Sequence, residues 1–449
     1  MIMKQEFLKW LAVPLASAGV MLLASCSGDS AIPFVMQVTL PSQVYGEQFD
    51  AVQTAQIFPG RKTFVDVAPN IDPAAIIIRL YQRQKCLPGF LLQAFVDQSF
   101  TLSLDQSMMP PNHTLDGHFH WLWPKLIHTM REGPSNSSLI ALPKPGMVRG
   151  GHSREGCYWD TCFTMLGLQE AGRGDFVDSV FDDFAHRIDT IGHVPNNSCT
   201  YFVSCVQPPF FGNMVSLAAL GCAAYRTYLM AWRKEHAYWM QIAHKEPSGA
   251  ATGRVVAMPD GSVLQRYWDA SDTPREKSCV ENRQTARQGR GQPVAAVWRD
   301  LRVAAESGWE FSSRCFCDNT TLATIHTVSI VFVDLDGLIF NLETTIAKQC
   351  LVVIDLACIT EFTQRVARRE AAINRYLWNP NDYYGDYDWQ HGLRRDNLSA
   401  AALYPLFTGV AQPAPAMRAA RQVGQRLLQP DELATITHRT GKPWDAPNG

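Results

Sequence analysis

Between Asp175 and Ile191 the residues Phe176, Val177, Val180, Phe181, Phe184 and Ile188 recur at helical spacing, which puts all six on one face. A helix with so broad an apolar stripe has to be covered by other elements. His193-Val-Pro195-Asn-Asn197 then stops it, because proline cannot continue a helix and asparagine favours turns. Similar patterns run over 215–243, with Gly221 as a break, and over 293–307, 325–347, 351–376 and 398–408. One exception is Val255-Val-Ala-Met-Pro-Asp-Gly-Ser-Val263-Leu264, where Pro259-Asp260-Gly261 supplies turn chemistry between two apolar runs and predicts a small β-hairpin. No sequence repeat is visible; what recurs is helix, long loop, helix, so the expected class is all-α.

Ser329-Ile-Val-Phe-Val-Asp334-Leu-Asp336-Gly337 tests that expectation. Phosphotransferases of the haloacid dehalogenase type end a strand on an aspartate nucleophile in this way, but they need a parallel βα alternation around it. Here the neighbouring segments read as helices, so Asp334 is expected to cap a buried helix, and a phosphotransferase using Asp334 is the weakest reading.

A formal net charge of −2 over 449 residues, with no basic block, excludes a nucleic-acid partner. At the N-terminus Lys4 and Lys9 precede an apolar run from Trp10 to Ala24, too short to span a bilayer and ending on small residues. This predicts a cleaved export signal over residues 1–25. Leu23-Ala24-Ser25-Cys26 resembles a bacterial lipobox, which would attach the mature chain to a membrane through a lipidated Cys26; an ordinary signal peptide is the alternative. Residues 26–44 read as a linker, and the expected location is periplasmic or on the outer membrane. The twelve cysteines have irregular spacing and do not form a recognisable disulfide framework. Neither Cys315-Phe-Cys317 nor His118-Phe-His120 has companions at metal-ligand spacing; both are expected on helix surfaces, with no metal and no cofactor.

Aromatic residues and acids stand together repeatedly, as Tyr158-Trp159-Asp160, Tyr267-Trp268-Asp269, Trp309-Glu310-Phe311, Tyr387-Asp388-Trp389 and Trp444-Asp445. A sugar offers flat C–H faces and rings of hydroxyls, so its site pairs aromatic platforms with carboxylates, amides and arginines, and cleavage takes two carboxyl groups.

In order along the chain, Ala55-Gln-Ile-Phe-Pro-Gly-Arg-Lys-Thr-Phe-Val-Asp66, Gly150-Gly-His-Ser-Arg-Glu-Gly-Cys-Tyr-Trp-Asp160, Asp189-Thr-Ile-Gly-His-Val-Pro-Asn196, Gln207-Pro-Pro-Phe-Phe211, Arg266-Tyr-Trp-Asp269, Asp272-Thr-Pro-Arg275, Ser307-Gly-Trp-Glu-Phe-Ser-Ser-Arg314, Tyr376-Leu-Trp-Asn379 and Trp444-Asp-Ala-Pro-Asn-Gly449 resemble the motifs of the α,α-trehalases of glycoside hydrolase family 37. The resemblance covers about residue 45 to the end. It implies an (α/α)6 barrel with the site in loops at one mouth, and hydrolysis of the disaccharide trehalose to two glucoses with inversion. It also implies substrate contacts at Trp159, Asp160, Asn196, Gln207, Arg275 and Gly308, and a general acid at Glu310. Read without the family, Asn196 is equally a turn residue and Gln207 a loop anchor.

The chain departs from the family at several of these positions. Glu310 stands where the family has aspartate, and the added methylene moves the proton by roughly 1 Å, a misplacement that can cost about a hundredfold in rate. His152 and Cys205 replace arginines, Ser153 an aromatic and Lys277 a glutamate. Neither histidine nor cysteine reproduces the bidentate fork of arginine. The sequence ends inside the second signature, so the barrel is expected to be incomplete at its C-terminus and to lack the glutamate that activates water. A catalytically inactive carbohydrate-binding or vestigial protein is therefore the alternative to an active trehalase-like enzyme.

Overall fold

Leu335, Leu338, Ile339, Leu342 and Ile346 follow one another at three- and four-residue steps, and in the computed structural model they lie at the centre of a helix, Val333–Val352, whose sides are nearly all buried. The structure describes residues 38–58, 60–71, 74–101, 114–129, 137–148, 155–214, 217, 222–241, 248–289, 291–437 and 445. The export signal, Cys26 and the start of the linker lie outside the described residues.

The longer helices are α1 (Glu47–Ala55), α2 (Ala75–Gln84), α3 (Leu92–Ser99), α4 (Leu115–Leu126), α5 (Tyr158–Glu170), α6 (Gly174–Ile191), α7 (Cys222–Trp239), α8 (Cys279–Gln288), α9 (Val294–Ser307), α10 (Val333–Val352), α11 (Leu356–Ala372) and α12 (Pro413–Arg426). They pack as successive neighbours, α5 on α6, α6 on α7, α8 on α9 and α10 on α11, with α7 also against α10. Of the apolar face predicted for α6, Val177, Val180, Phe181, Phe184 and Ile188 pack into a core with Tyr158, Met165, Phe211 and Trp232, while Phe176 stays half-buried under Arg173. Gly192 closes that helix at φ 96°, a left-handed conformation that costs glycine little.

Acids buried in α10 are each met by a cation or a histidine. Arg314 binds Asp334 at 2.9 Å and Asp386 at 2.8 Å, while Arg369 binds Asp336 and Glu343, both at 2.8 Å. Glu343 also meets His236 of α7 at 3.1 Å. A buried carboxylate without such a partner would be strongly destabilising, so these pairs fix which helices stand beside α10.

The strand pairs of the described residues are all antiparallel and short. The predicted hairpin is present as Val255–Ala257 against Val263–Gln265. Asp334 follows no strand of a parallel sheet. Nor does it cap its helix, as expected from sequence: Phe332 is the N-cap, and the Asp334 carboxylate is spent on Arg314. The helix predicted over 325–347 starts late because Ile330–Val331, β-branched, pairs with Tyr387–Asp388. The segment 398–408 gives only a 3-10 turn and one helical turn, and helix α8 was not anticipated. His118 and His120 do lie on helix α4, but Cys315 is buried in a 3-10 turn and Cys317 exposed beyond it, not on a helix. Among the described residues one disulfide, Cys350–Cys358, joins the end of α10 to the start of α11.

Candidate active site

Three loops enclose an open cleft of about 920 Å3, a size that suits a small molecule. The loop after α1 contributes Arg61, Lys62 and Asp66; the segment leading into α8 contributes Arg275, Lys277 and Glu281; the loop after α9 contributes Glu310 and Phe311. One long-range ion pair joins the first two, and others brace the first. Arg61 binds Glu281, and Lys62 binds both Asp66 and, at 3.1 Å, Glu155. Burial opposes the charge on Lys62, yet the carboxylates of Asp66 and Glu155 hold its ammonium above the usual range.

Arg275 joins the acid loop to this wall. Its guanidinium lies 4.9 Å from the centre of the Phe311 ring, and its Nε donates to Asn282 Oδ1 at 3.3 Å. Burial pulls Arg275 below the usual arginine range, and the neighbouring Glu310 carboxylate works against that loss. Glu310 and Arg275 thus share one field at the floor of the cleft.

Trp159 reaches the same loop from the opposite side. It lies in the first turn of α5, and its indole packs so closely on Gly308 that a Cβ there would come within 2.4 Å of the ring. Gly308 also sits at φ 73° as the cap of α9, so both its backbone and its neighbour require glycine. Asn196 and Gln207 lie buried behind this contact. Gln207 Oε1 accepts from the backbone N–H of Tyr158 at 3.1 Å and of Trp159 at 3.0 Å, satisfying two of the donors that a helix start leaves open. Asn196 Nδ2 donates to the carbonyls of Val206 at 3.3 Å and Ala305 at 3.5 Å, tying the loop after α6 to the end of α9. Asp160 occupies the same first turn as Trp159. Of the seven residues singled out in the sequence, Glu310 and Arg275 line the cleft, and Trp159, Asp160, Asn196, Gln207 and Gly308 do not. Trp159, Asn196, Gln207 and Gly308 therefore meet at the junction of α5, the loop after α6 and the end of α9; Glu310 follows on the loop beyond, Arg275 reaches that loop through Phe311, and Asp160 is not brought into these contacts. Arg61, Lys62, Asp66 and Glu281 were not singled out, although the alternation of charges in Arg61-Lys-Thr-Phe-Val-Asp66 was there to read.

The acid loop is gripped from below. Arg314 lies 4.5 Å from the Trp309 ring, and Asp445 accepts from Ser312 Oγ at 2.8 Å and from both the N–H and the Oγ of Ser313 at 2.9 Å. Cys205 is buried beside a water-sized hollow of about 20 Å3 that shares Arg275 and Lys277 with the cleft. Its thiol lies near the carboxylates of Asp269 and Glu306, but Asp269 is bound by Arg302 at 2.8 Å and Glu306 by Arg254 at 2.9 Å, so the cations these carboxylates answer are arginines. His152 and Ser153 lie outside the described residues.

A family model described as trehalase matches residues 56–449. The chain belongs to the trehalase family. The periplasmic trehalase of Pseudomonas aeruginosa is 44% identical over 449 residues, which cover 97% of this chain and 82% of that protein. That of Xanthomonas oryzae pv. oryzae is 44% identical over 413 residues, 91% of this chain and 72% of its relative. Among solved structures, neutral trehalase Nth1 from Saccharomyces cerevisiae superposes with a TM-score of 0.54 at 19% identity, covering 72% of this chain. The chain spans 62% of the length of that yeast chain. The fold is accordingly the all-α (α/α)6 barrel of the family, with its cleft built from the loops at one end of the helix pairs.

Proposed function

We propose that this chain is an exported, periplasmic trehalase that hydrolyses α,α-trehalose to two molecules of glucose. The observation that carries the reading is the convergence of Glu310, Arg275 and Trp159 on one loop of a trehalase-family barrel. In this reading Glu310 gives its proton to the glycosidic oxygen, Arg275 holds sugar hydroxyls beside it, and the Trp159 indole offers a flat face to a C–H surface of the sugar. Asn196, Gln207 and Asp160 are assigned to the sugar by the family resemblance alone, Asn196 and Gln207 acting here as anchors of the loops behind Trp159, and Gly308 gives the room that Trp159 needs. An inverting mechanism also takes a carboxylate that activates water on the opposite sugar face. Asp66 and Glu281 share the cleft but are each tied to a cation, and we assign that part to neither. No cofactor enters the scheme.

Glucose release from trehalose by the wild-type chain and by Glu310→Gln tests the assignment. The amide keeps the shape and removes the proton, so turnover is expected to fall by at least about a hundredfold, since general acid catalysis contributes roughly that much or more. Undiminished turnover in the variant would remove Glu310 from the role. Heat of trehalose binding without glucose release from the wild type would instead make the chain a carbohydrate-binding member of the family.

A further inference from the structure

Glu235 of α7 is buried and answers no cation among the described residues. Its Oε1 accepts from the hydroxyl of Tyr158, and its Oε2 is buried without a hydrogen-bond partner. An ionised carboxylate left in this state would carry a heavy desolvation penalty, whereas a neutral carboxyl does not. Beyond the Tyr158 hydroxyl, the described surroundings offer no cation to compensate it. Helix α5 meets it with the Tyr158 hydroxyl, beside which, one turn on, lies the Cys162 thiol; the short turn Phe211–Met214 brings only the Phe211 N–H, which donates to the Tyr158 oxygen at 2.9 Å. The carboxylates that α6 turns toward α7 are taken, Asp182 by Tyr228 and Asp189 by Lys234, and Glu343 of α10 is bound to Arg369 and His236.

Tyr158 is the first residue of α5. Its N–H and that of Trp159 share Gln207 Oε1, and the Trp159 indole rests on Gly308, two residues before Glu310. Whatever moves the Tyr158 ring therefore moves the helix start that presents Trp159.

We propose that Glu235 is a positioning residue of the cleft: as an uncharged carboxyl it anchors the Tyr158 hydroxyl and so fixes Trp159 against the acid loop. Burial pushes the Glu235 carboxyl up to about 8, so the proton is held through neutral pH and leaves in mildly alkaline solution. The sign for stability follows from this raised value. The carboxyl ionises near its ordinary value in the unfolded chain but only near 8 in the fold, so its contribution is complete in acid and is lost as pH rises toward about 8.

The test compares wild type, Glu235→Gln, Glu235→Ala and Tyr158→Phe from roughly pH 5 to 9, by trehalose kinetics and by the fluorescence change that disappears in Trp159→Phe. The kinetic arm rests on the trehalase reading; the fluorescence arm does not, so failure of one reading is separable from failure of the other. In the wild type KM is expected to rise about tenfold above pH 8 with a smaller change in kcat: the ionised carboxylate, its Oε2 buried without a partner, is driven toward water and takes the Tyr158 hydroxyl with it, and a misplaced platform loses binding shared by ground and transition states. Glu235→Gln, neutral at every pH, keeps wild-type KM at pH 6 and shows no alkaline rise. Glu235→Ala and Tyr158→Phe have raised KM throughout. The proposal is overturned if Glu235→Gln retains the alkaline change, or if Glu235→Ala alters the melting temperature alone. Should no glucose be released by any form, a Trp159-dependent fluorescence transition near pH 8 in the wild type that is missing from Glu235→Gln sustains the inference, and its persistence in that variant ends it.

Discussion

Arg275 and Arg314 both lie over an aromatic ring of the same loop, Arg275 on Phe311 and Arg314 on Trp309, yet their surroundings differ in one respect. Arg314 is completely buried and meets two carboxylates, Asp334 and Asp386, which overcome the cost of burial and hold its charge well above the usual range. Arg275 has Asn282 as a neutral partner and the charge of Glu310 nearby, and burial wins: its charge is weakened. The first arginine is committed to the fold, and the second sits in the cleft with a carboxylic acid that catalysis would use. What separates structure from chemistry here is the number of fixed carboxylates, and residue type says nothing about it.

Removing Arg314 should break the comparison most visibly. Arg314→Met strands the buried carboxylates of Asp334 and Asp386, and the loss is expected to be about 3–5 kcal/mol, read as a fall in the urea midpoint or as insoluble protein. Wild-type stability in that variant would mean the two arginines are equivalent after all. Arg275→Ala should do the reverse: kcat/KM for trehalose falls by roughly 10- to 150-fold, the equivalent of one charge-assisted bond of about 1.5–3 kcal/mol, while the melting temperature hardly moves. A smaller effect is expected from Gly308→Ala. The methyl group collides with the Trp159 indole and is forced into a left-handed backbone, so KM should rise by about tenfold, with about 1–2 kcal/mol lost from stability. Unchanged KM there would show that the indole does not need its present seat.

Much of this architecture was readable from local pattern. The face of α6 and the hairpin at 255–265 each follow from spacing or turn residues, which act within a few residues. Asn196 and Gln207 were readable as loop anchors as well as sugar contacts, and their hydrogen bonds to backbone show the anchoring. What escaped is carried by distance along the chain. Arg61 and Glu281 are 220 residues apart, Arg314 and Asp386 are 72 apart, and nothing in the periodicity of either segment announces its partner. Asp334 shows the same limit. Its local motif suggests a nucleophile or a cap, and only the approach of Arg314 decides what the carboxylate does.

Asp445 carries a consequence for how the molecule is made. It clasps Ser312 and Ser313 from 133 and 132 residues further along. At a synthesis rate of roughly 5–20 residues per second, the segment bearing Glu310 waits on the order of ten seconds before its clasp exists. The segment bearing Glu310 is thus held by a residue made more than a hundred residues later, and a chain interrupted between Arg426 and Asp445 would own every helix from α1 to α12 and still lack that clasp.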